Sequence, residues 1–279
     1  MAEALPYCAS EVRRWDYDRF LSVLFAPAAT RERLFALYAF NHEIAKVRET
    51  VSEPMLGHIR LQWWREAIAG LYEGKIGKHP VVEALAPAIV AATASARAGF
   101  EALIDAREFD LAGRAPATLV ELESYCAGTS SQLLSLAADM LGAKGEATRA
   151  RLRHLGIAWA LIGLIRAIPF HARARRQYIP AEVAAASGLN EEALFALRPS
   201  KELRGAVRAL AAAAARHLDD ARADRADRAA RPLLLLTPLA RAYLRLLRRR
   251  GYDVMARPIE LSPAGKIARL WWAMRIGTS

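Results

Sequence analysis

Two stretches of this chain gather side chains that could hold an anion. The first runs Tyr38-Ala-Phe-Asn41-His42-Glu43-Ile-Ala45-Lys46-Val-Arg48-Glu49. The second runs from Leu155-Gly156 through Gly163 and Arg166-Ala167-Ile-Pro-Phe-His171-Ala-Arg173-Ala-Arg175-Arg176-Gln-Tyr178-Ile179-Pro180. Arg48, Arg166, His171, Arg173, Arg176 and Tyr178 offer guanidinium, imidazole and phenol donors. Such a set can grip a phosphate or carboxylate without a metal. The competing reading of Arg166 to Tyr178 is a helix C-terminus rich in cations that point to water, which the helix dipole favours. Both readings stay open at the level of sequence.

Other candidate chemistry is weaker. Asp219-Asp220-Ala-Arg-Ala-Asp224 places Asp220 and Asp224 at i and i+4, but in an Ala/Arg context that pairs Asp224 with Arg228 and Asp227 with Arg231. A solvated charged face is expected there. Histidines 42, 58, 79, 154, 171 and 217 form no HxxxH and no metal-ligand spacing, so they are expected on the surface or satisfied in the core. No glycine-rich phosphate loop and no GxSxG elbow occurs. Neither a metal nor a cofactor is expected.

The elements that must position these residues are helices. Ala, Leu, Arg and Glu dominate, β-branched runs are few, and 54% of the 279 residues are hydrophobic, enough for a sizeable core. A first helix is expected over 9–24, ending near Pro27, and a second with Thr30 as N-cap. Pro54 suits the first turn of a third, with Ile59, Trp63 and Ala67 on one face. Further helices are expected at 81–93, 95–112, 118–141, 146–171, 180–187, 191–197, 200–229, 232–250 and 262–275, separated by Gly and Pro punctuation. No separating linker and no fixed-period repeat appears, so residues 1–279 are expected to form one helical domain.

Net charge is +11. Nucleic acid is not expected as a partner, because the cations are spread over many helices with no recognition motif. Arg241, Arg245 and Arg248, extended by Arg249 and Arg250, form a stripe opposite Leu236, Tyr243, Leu244 and Leu247. That pattern fits a helix lying on an anionic membrane or a partner, or an ordinary helix with a solvated face. Trp271 and Trp272, among Lys266, Arg269 and Arg275, could anchor at a membrane interface or pack in the core. Cys8 and Cys126 stand alone, as reduced thiols of a cytosol-like compartment would. The first residues lack the pattern of a secretory signal, and no apolar stretch is expected to reach membrane-spanning length.

The two opening stretches resemble the aspartate motifs of squalene and phytoene synthases. Supporting segments are Trp64-Arg65, Leu103-Ile-Asp105-Ala-Arg107-Glu-Phe-Asp110-Leu and Glu121-Leu-Glu-Ser-Tyr125-Cys-Ala-Gly128-Thr, in the same order over roughly residues 10–185. The resemblance implies an all-α isoprenoid-synthase bundle, related to trans-prenyltransferases. In that family, aspartates on two facing helices hold Mg²⁺ against a diphosphate. At the matching positions this chain has Ala45, Lys46 and Glu49 in the first motif, and Gly163, Ala167 and His171 in the second. Ala39-Phe40-Asn41-His-Glu43-Ile-Ala45, Val51-Ser-Glu53 and Arg166-Ala-Ile-Pro-Phe-His171 are similar to a branch of the family that acts in assembly of respiratory complex I. That likeness implies a non-catalytic factor acting on a complex I subunit or assembly intermediate. It would be cytoplasmic, peripheral at the inner face of the cytoplasmic membrane, or on the matrix side in a mitochondrion. The rivals are a prenyltransferase joining two prenyl diphosphates and a binder of prenyl or anionic lipid.

Overall fold

Residues that lose little on entering a helix make up most of the chain, and the described residues form helices and no strands. The structure is a computed structural model and describes residues 5–90, 94–222 and 227–276. The helices are α1 (Tyr7–Trp15), α2 (Tyr17–Val23), α3 (Ala28–Ala45), α4 (Val47–Thr50), α5 (Pro54–Tyr72), α6 (Pro80–Val90), α7 (Ala94–Ala106), α8 (Glu108–Leu111) and α9 (Leu119–Cys126). They continue with α10 (Gln132–Met140), α11 (Glu146–Arg173), α12 (Ala181–Ser187), α13 (Glu191–Phe195), α14 (Lys201–Asp220), α15 (Arg231–Leu234), α16 (Leu236–Arg249) and α17 (Pro263–Ile276). A π-helical segment, Ala127–Ser131, joins α9 to α10. The expected helices 81–93 and 200–229 each include positions, 91–93 and 223–226, that lie outside the described residues.

The chain gathers into two compact units. One comprises Met1–Ala112, Gln132–Arg149 and Arg225–Leu235; the other comprises Gly113–Ser131, Ala150–Asp224 and Leu236–Ser279.

In the first unit α3 is the central helix, packed by α1, α2, α6 and α10, while α5 packs on α6, α7 and α8. Leu34, Leu37, Phe40 and Ile44 on α3 are fully buried. Phe40 meets Trp64 and Phe100 edge-on, each with ring centroids 5.4 Å apart. Edge-to-face pairs of this kind add about 0.5–1.5 kcal/mol beyond the area they bury.

Two sequence expectations change here, and a third gains an orientation. The helix expected over 9–24 is two, because Asp16 leaves helical geometry (φ −140°, ψ 67°) and its carboxylate accepts the Arg19 N–H at 3.1 Å, starting α2. Thr30 does not cap: α3 begins after Pro27, and the Thr30 hydroxyl donates back to the Pro27 carbonyl. Pro54 does open α5, but the face carrying Ile59 and Trp63 is exposed, at 58% and 43%, with Met55 at 66% beside them. Gly57, Leu61, Trp64, Ile68 and Leu71 form the buried face instead.

In the second unit α12 and α16 pack on α14, and α17 packs on α16. Leu236, Tyr243 and Leu247 of α16 are fully buried, so its apolar side is committed to the interior, while Arg245, Arg248 and Arg249 are exposed. Trp271 and Trp272 are exposed, at 50% and 64%. The 28 residues of α11 are long and apolar enough by composition to cross a membrane, which corrects the sequence expectation. Leu155, Ala158, Leu161, Ile162 and Ile165 are buried, the pattern of a core helix. Gly156 of α11 faces the π segment: a Cβ there would lie 2.5 Å from the Ser131 Cα, and the Ser131 hydroxyl donates to the Arg153 carbonyl. Both cysteines are buried, and burial pushes the Cys8 thiol up to about 11.

Candidate functional site

The first motif lies where α3 gives way to α4. Ala45 is the last residue of α3, and Lys46 caps it, its N–H bonding back to the His42 carbonyl at 3.0 Å. The Glu49 and Thr50 N–H groups both return to the Lys46 carbonyl, which tightens the backbone at the junction. The Lys46 ammonium is paired with Glu43, and Glu49 is exposed. Arg48 donates toward the Val51 carbonyl at 3.5 Å, and its buried Nε has no partner among the described residues. Asn41 accepts from Arg107, which also pairs with Asp110 at 3.5 Å. His42 stacks on Trp15, centroids 5.2 Å apart, and burial lowers its proton affinity. Segment 103–110 thus supports the first motif from within the same unit.

The second motif runs along the end of α11. A side chain built on Gly163 would meet nothing within 4 Å, and Ala167 and His171 are both half-buried. Past Arg173 the chain turns back through Arg175, whose φ of 51° is left-handed, and the Arg176 N–H closes on the His171 carbonyl at 2.9 Å. This is the geometry that glycine usually supplies at a helix C-terminus. It brings Arg176 and Tyr178 back beside His171.

Those three residues line a small, partly open pocket with Leu164, Ile168 and Leu210. Its free centre has room for about one water molecule. The His171 ring lies 4.8 Å from that of Tyr178, and its buried Nδ1 has no hydrogen-bond partner among the described residues. Burial, reinforced by the Arg176 charge, lowers the His171 pKa to about 4, so the imidazole is neutral at pH 7.

The expected anion-binding set is therefore distributed. His171, Arg176 and Tyr178 share the pocket. Arg166 instead donates to the Ile259 carbonyl at 2.9 Å, pairs with Glu260 and sits 4.1 Å over the Tyr243 ring. Arg173 is exposed, and Arg48 belongs to the first unit. The acids expected near the first motif are Glu49, Glu43 and Asp105, of which Glu43 pairs with Lys46 and Asp105 with Arg65. Along the second there are none between Glu146 and Glu182.

A pairing invisible in the sequence lies elsewhere in the second unit. His154 of α11 and His217 of α14, 63 residues apart, face each other with Nδ1 atoms 2.9 Å apart. Asp220 Oδ2 is 3.9 Å from His154 Nδ1, so Asp220 contacts a histidine rather than forming a purely solvated face. Asp224 lies outside the described residues. Asp227 accepts the Lys144 and Ala229 N–H groups, at 2.8 and 2.9 Å, where a pairing with Arg231 was expected.

Known proteins place this geometry. The squalene/phytoene synthase family model matches residues 12–265. The complex I assembly factor 6 of Rattus norvegicus is 32% identical over 250 residues, covering 89% of this chain and 75% of that protein. A presqualene diphosphate synthase of Sinorhizobium fredii is 27% identical, covering 90% of this chain and 91% of its own length. Among solved structures, a dehydrosqualene synthase superposes with a TM-score of 0.81 at 18% identity, over 97% of this chain and 95% of that one. A squalene synthase from Alicyclobacillus acidocaldarius superposes at 0.76 and 20% identity, over 88% and 93%. The fold is that of the all-α isoprenoid synthases, and the chain belongs to the squalene/phytoene synthase family.

Proposed function

We propose that this chain is a non-catalytic member of its family that acts in assembly of respiratory complex I, on a complex I subunit or assembly intermediate. The observation that carries this reading is the higher identity to a protein named as a complex I assembly factor, 32%, than to a presqualene diphosphate synthase, 27%, over similar shares of the chain. Donor chemistry supports it. Mg²⁺ takes hard oxygen ligands in near-octahedral geometry. Ala45, Ala167 and Gly163 bring no side-chain oxygen, Lys46 brings a cation, and His171 brings a buried neutral imidazole. Glu49 is the one acid left at the six motif positions, and one carboxylate is too few for a magnesium–diphosphate cluster.

Two surfaces suit the assembly role. The exposed stripe Met55, Ile59 and Trp63 on α5, spaced four residues apart, is an apolar helix face of the kind that marks a protein interface. On α17, exposed Ile267, Trp271 and Trp272, with Arg275 stacked 4.0 Å over Trp271, suit the interface of an anionic membrane. We infer a peripheral position at the inner face of the cytoplasmic membrane, or on the matrix side in a mitochondrion. The test is complex I content and NADH:quinone activity in membranes of a deletion strain, with re-expression as control. Loss of assembled complex with an unchanged isoprenoid profile is expected, and normal complex I would overturn the proposal. The near-complete overlap with the presqualene diphosphate synthase keeps one rival, a prenyltransferase. Mg²⁺-dependent pyrophosphate release from farnesyl diphosphate would establish that rival.

A further inference from the structure

His154, His217 and Asp220 are outside both motifs, and the proposed function uses none of them. Their ligand atoms, two imidazole nitrogens and a carboxylate oxygen, all lie within 4.8 Å of one another. The two Nδ1 atoms are 2.9 Å apart, and Asp220 Oδ2 is 3.9 Å from the nearer. Ligands bound at about 2.0–2.1 Å around a tetrahedral ion sit roughly 3.4 Å from one another. Small rotations of three side chains would therefore close the set. Asp220, with 58% of its side chain exposed, is free to make the largest.

The surroundings select the tautomer that binding requires. Glu123 Oε1 lies 3.3 Å from His217 Nε2, on the side of the ring away from His154, and Arg216 holds that carboxylate at 3.2 Å. A carboxylate there keeps the proton on Nε2 and leaves the Nδ1 lone pair for a metal, the outer contact typical of ligating histidines. In the metal-free protein the 2.9 Å contact then makes His154 Nδ1 the donor to His217 Nδ1, and His154 turns a lone pair toward the ion by carrying its proton on Nε2 instead. His217 and Asp220 are three residues apart on α14 and share a face, while His154 comes from α11 and Glu123 from α9.

We propose that His154, His217 and Asp220 form a binding site for a divalent transition metal, Zn²⁺ in the first instance, with Glu123 orienting His217. Two imidazoles and one carboxylate suit Zn²⁺ and not Mg²⁺ or Ca²⁺, which prefer all-oxygen shells. A fourth position is left for water. The ion would fasten α11 to α14, with α9 held through Glu123, and so act as a staple within the second unit.

The test is calorimetric titration of the chelator-stripped full chain with Zn²⁺, with Mg²⁺ as control, alongside thermal melts. One Zn²⁺ per chain, no heat from Mg²⁺ and a Zn²⁺-dependent rise in Tm are expected. His154→Gln and His217→Gln should each weaken binding at least tenfold, and Glu123→Gln by about 10–100-fold. Asp220→Asn alters an exposed side chain and leaves the fold intact, so it tests the site even if a histidine variant fails to fold. No Zn²⁺ uptake at millimolar concentration would overturn the proposal. So would uptake that is unchanged in Asp220→Asn and in whichever histidine variants fold, because the ion would then sit elsewhere.

Discussion

His171 makes the chain sensitive to acid in a defined window. Its imidazole is neutral in the folded protein, with a pKa lowered from 6.5 to about 4, first by burial and then by Arg176. Below about pH 6.5 the unfolded chain takes up a proton at this residue that the folded chain refuses until about pH 4. Stability is therefore complete above that window, falls as pH drops through it and levels off below it. Each tenfold change in proton affinity is worth about 1.4 kcal/mol. The whole window is then worth roughly 3 kcal/mol, of which about 2 kcal/mol is lost between pH 7 and pH 5. Urea unfolding of the wild type and of His171→Gln, at both pH values, isolates this contribution, because glutamine does not titrate. The wild type should lose about 2 kcal/mol more than the variant on acidification. Parallel losses in the two proteins would refute the reasoning and place the imidazole in contact with water.

Gly156→Ala puts a methyl group against the Ser131 backbone and should cost about 1–3 kcal/mol, read as a fall in Tm of several degrees; an unchanged Tm would mean that the π segment yields. Ile59→Asp on the exposed α5 stripe should leave stability within about 0.5 kcal/mol of wild type while failing to restore complex I content in a deletion strain; full restoration would remove the stripe as a partner surface. Replacing Trp271 and Trp272 with serine should cut co-sedimentation with anionic vesicles several-fold, an effect that added salt does not reproduce in full; equal binding would return α17 to an ordinary surface. Introducing aspartate at positions 45, 46, 167 and 171 should give no Mg²⁺-dependent pyrophosphate release, since a carboxylate at 171 is desolvated and Gly163 still lacks its side chain; turnover would show that the remaining groups suffice.

Helix identity was largely readable from the sequence because caps and breakers are local. Thr118, Asn190 and Ser200 each accept the N–H three residues on, and Gly188 ends α12 at a φ of 68°. The break at Asp16 was hidden because apolar residues continue at helical spacing on both sides of it. The orientation of α5 was hidden for a different reason. It carries two apolar stripes, one through Ile59 and Trp63 and one through Leu61, Trp64, Ile68 and Leu71, and periodicity alone cannot say which is covered. On α16 the amphipathic pattern was correct, but its apolar half is spent inside the unit. The residue types of the two motifs were visible, whereas the neutrality of His171 depends on burial. The His154–His217 contact has no local signature, since its partners are brought together by tertiary packing.

The burial of both thiols has a practical consequence for finding the partner. Cys8 and Cys126 are the two cysteines of the chain, and neither is presented at its surface. Maleimides react with exposed thiolate, and Cys8 supplies little of it at neutral pH. A single cysteine introduced at Met55 or Trp272 would then be the chain's one accessible handle. A photoactivatable crosslinker attached there would tag whichever protein or lipid docks on that helix, and would report the residue at which it docks.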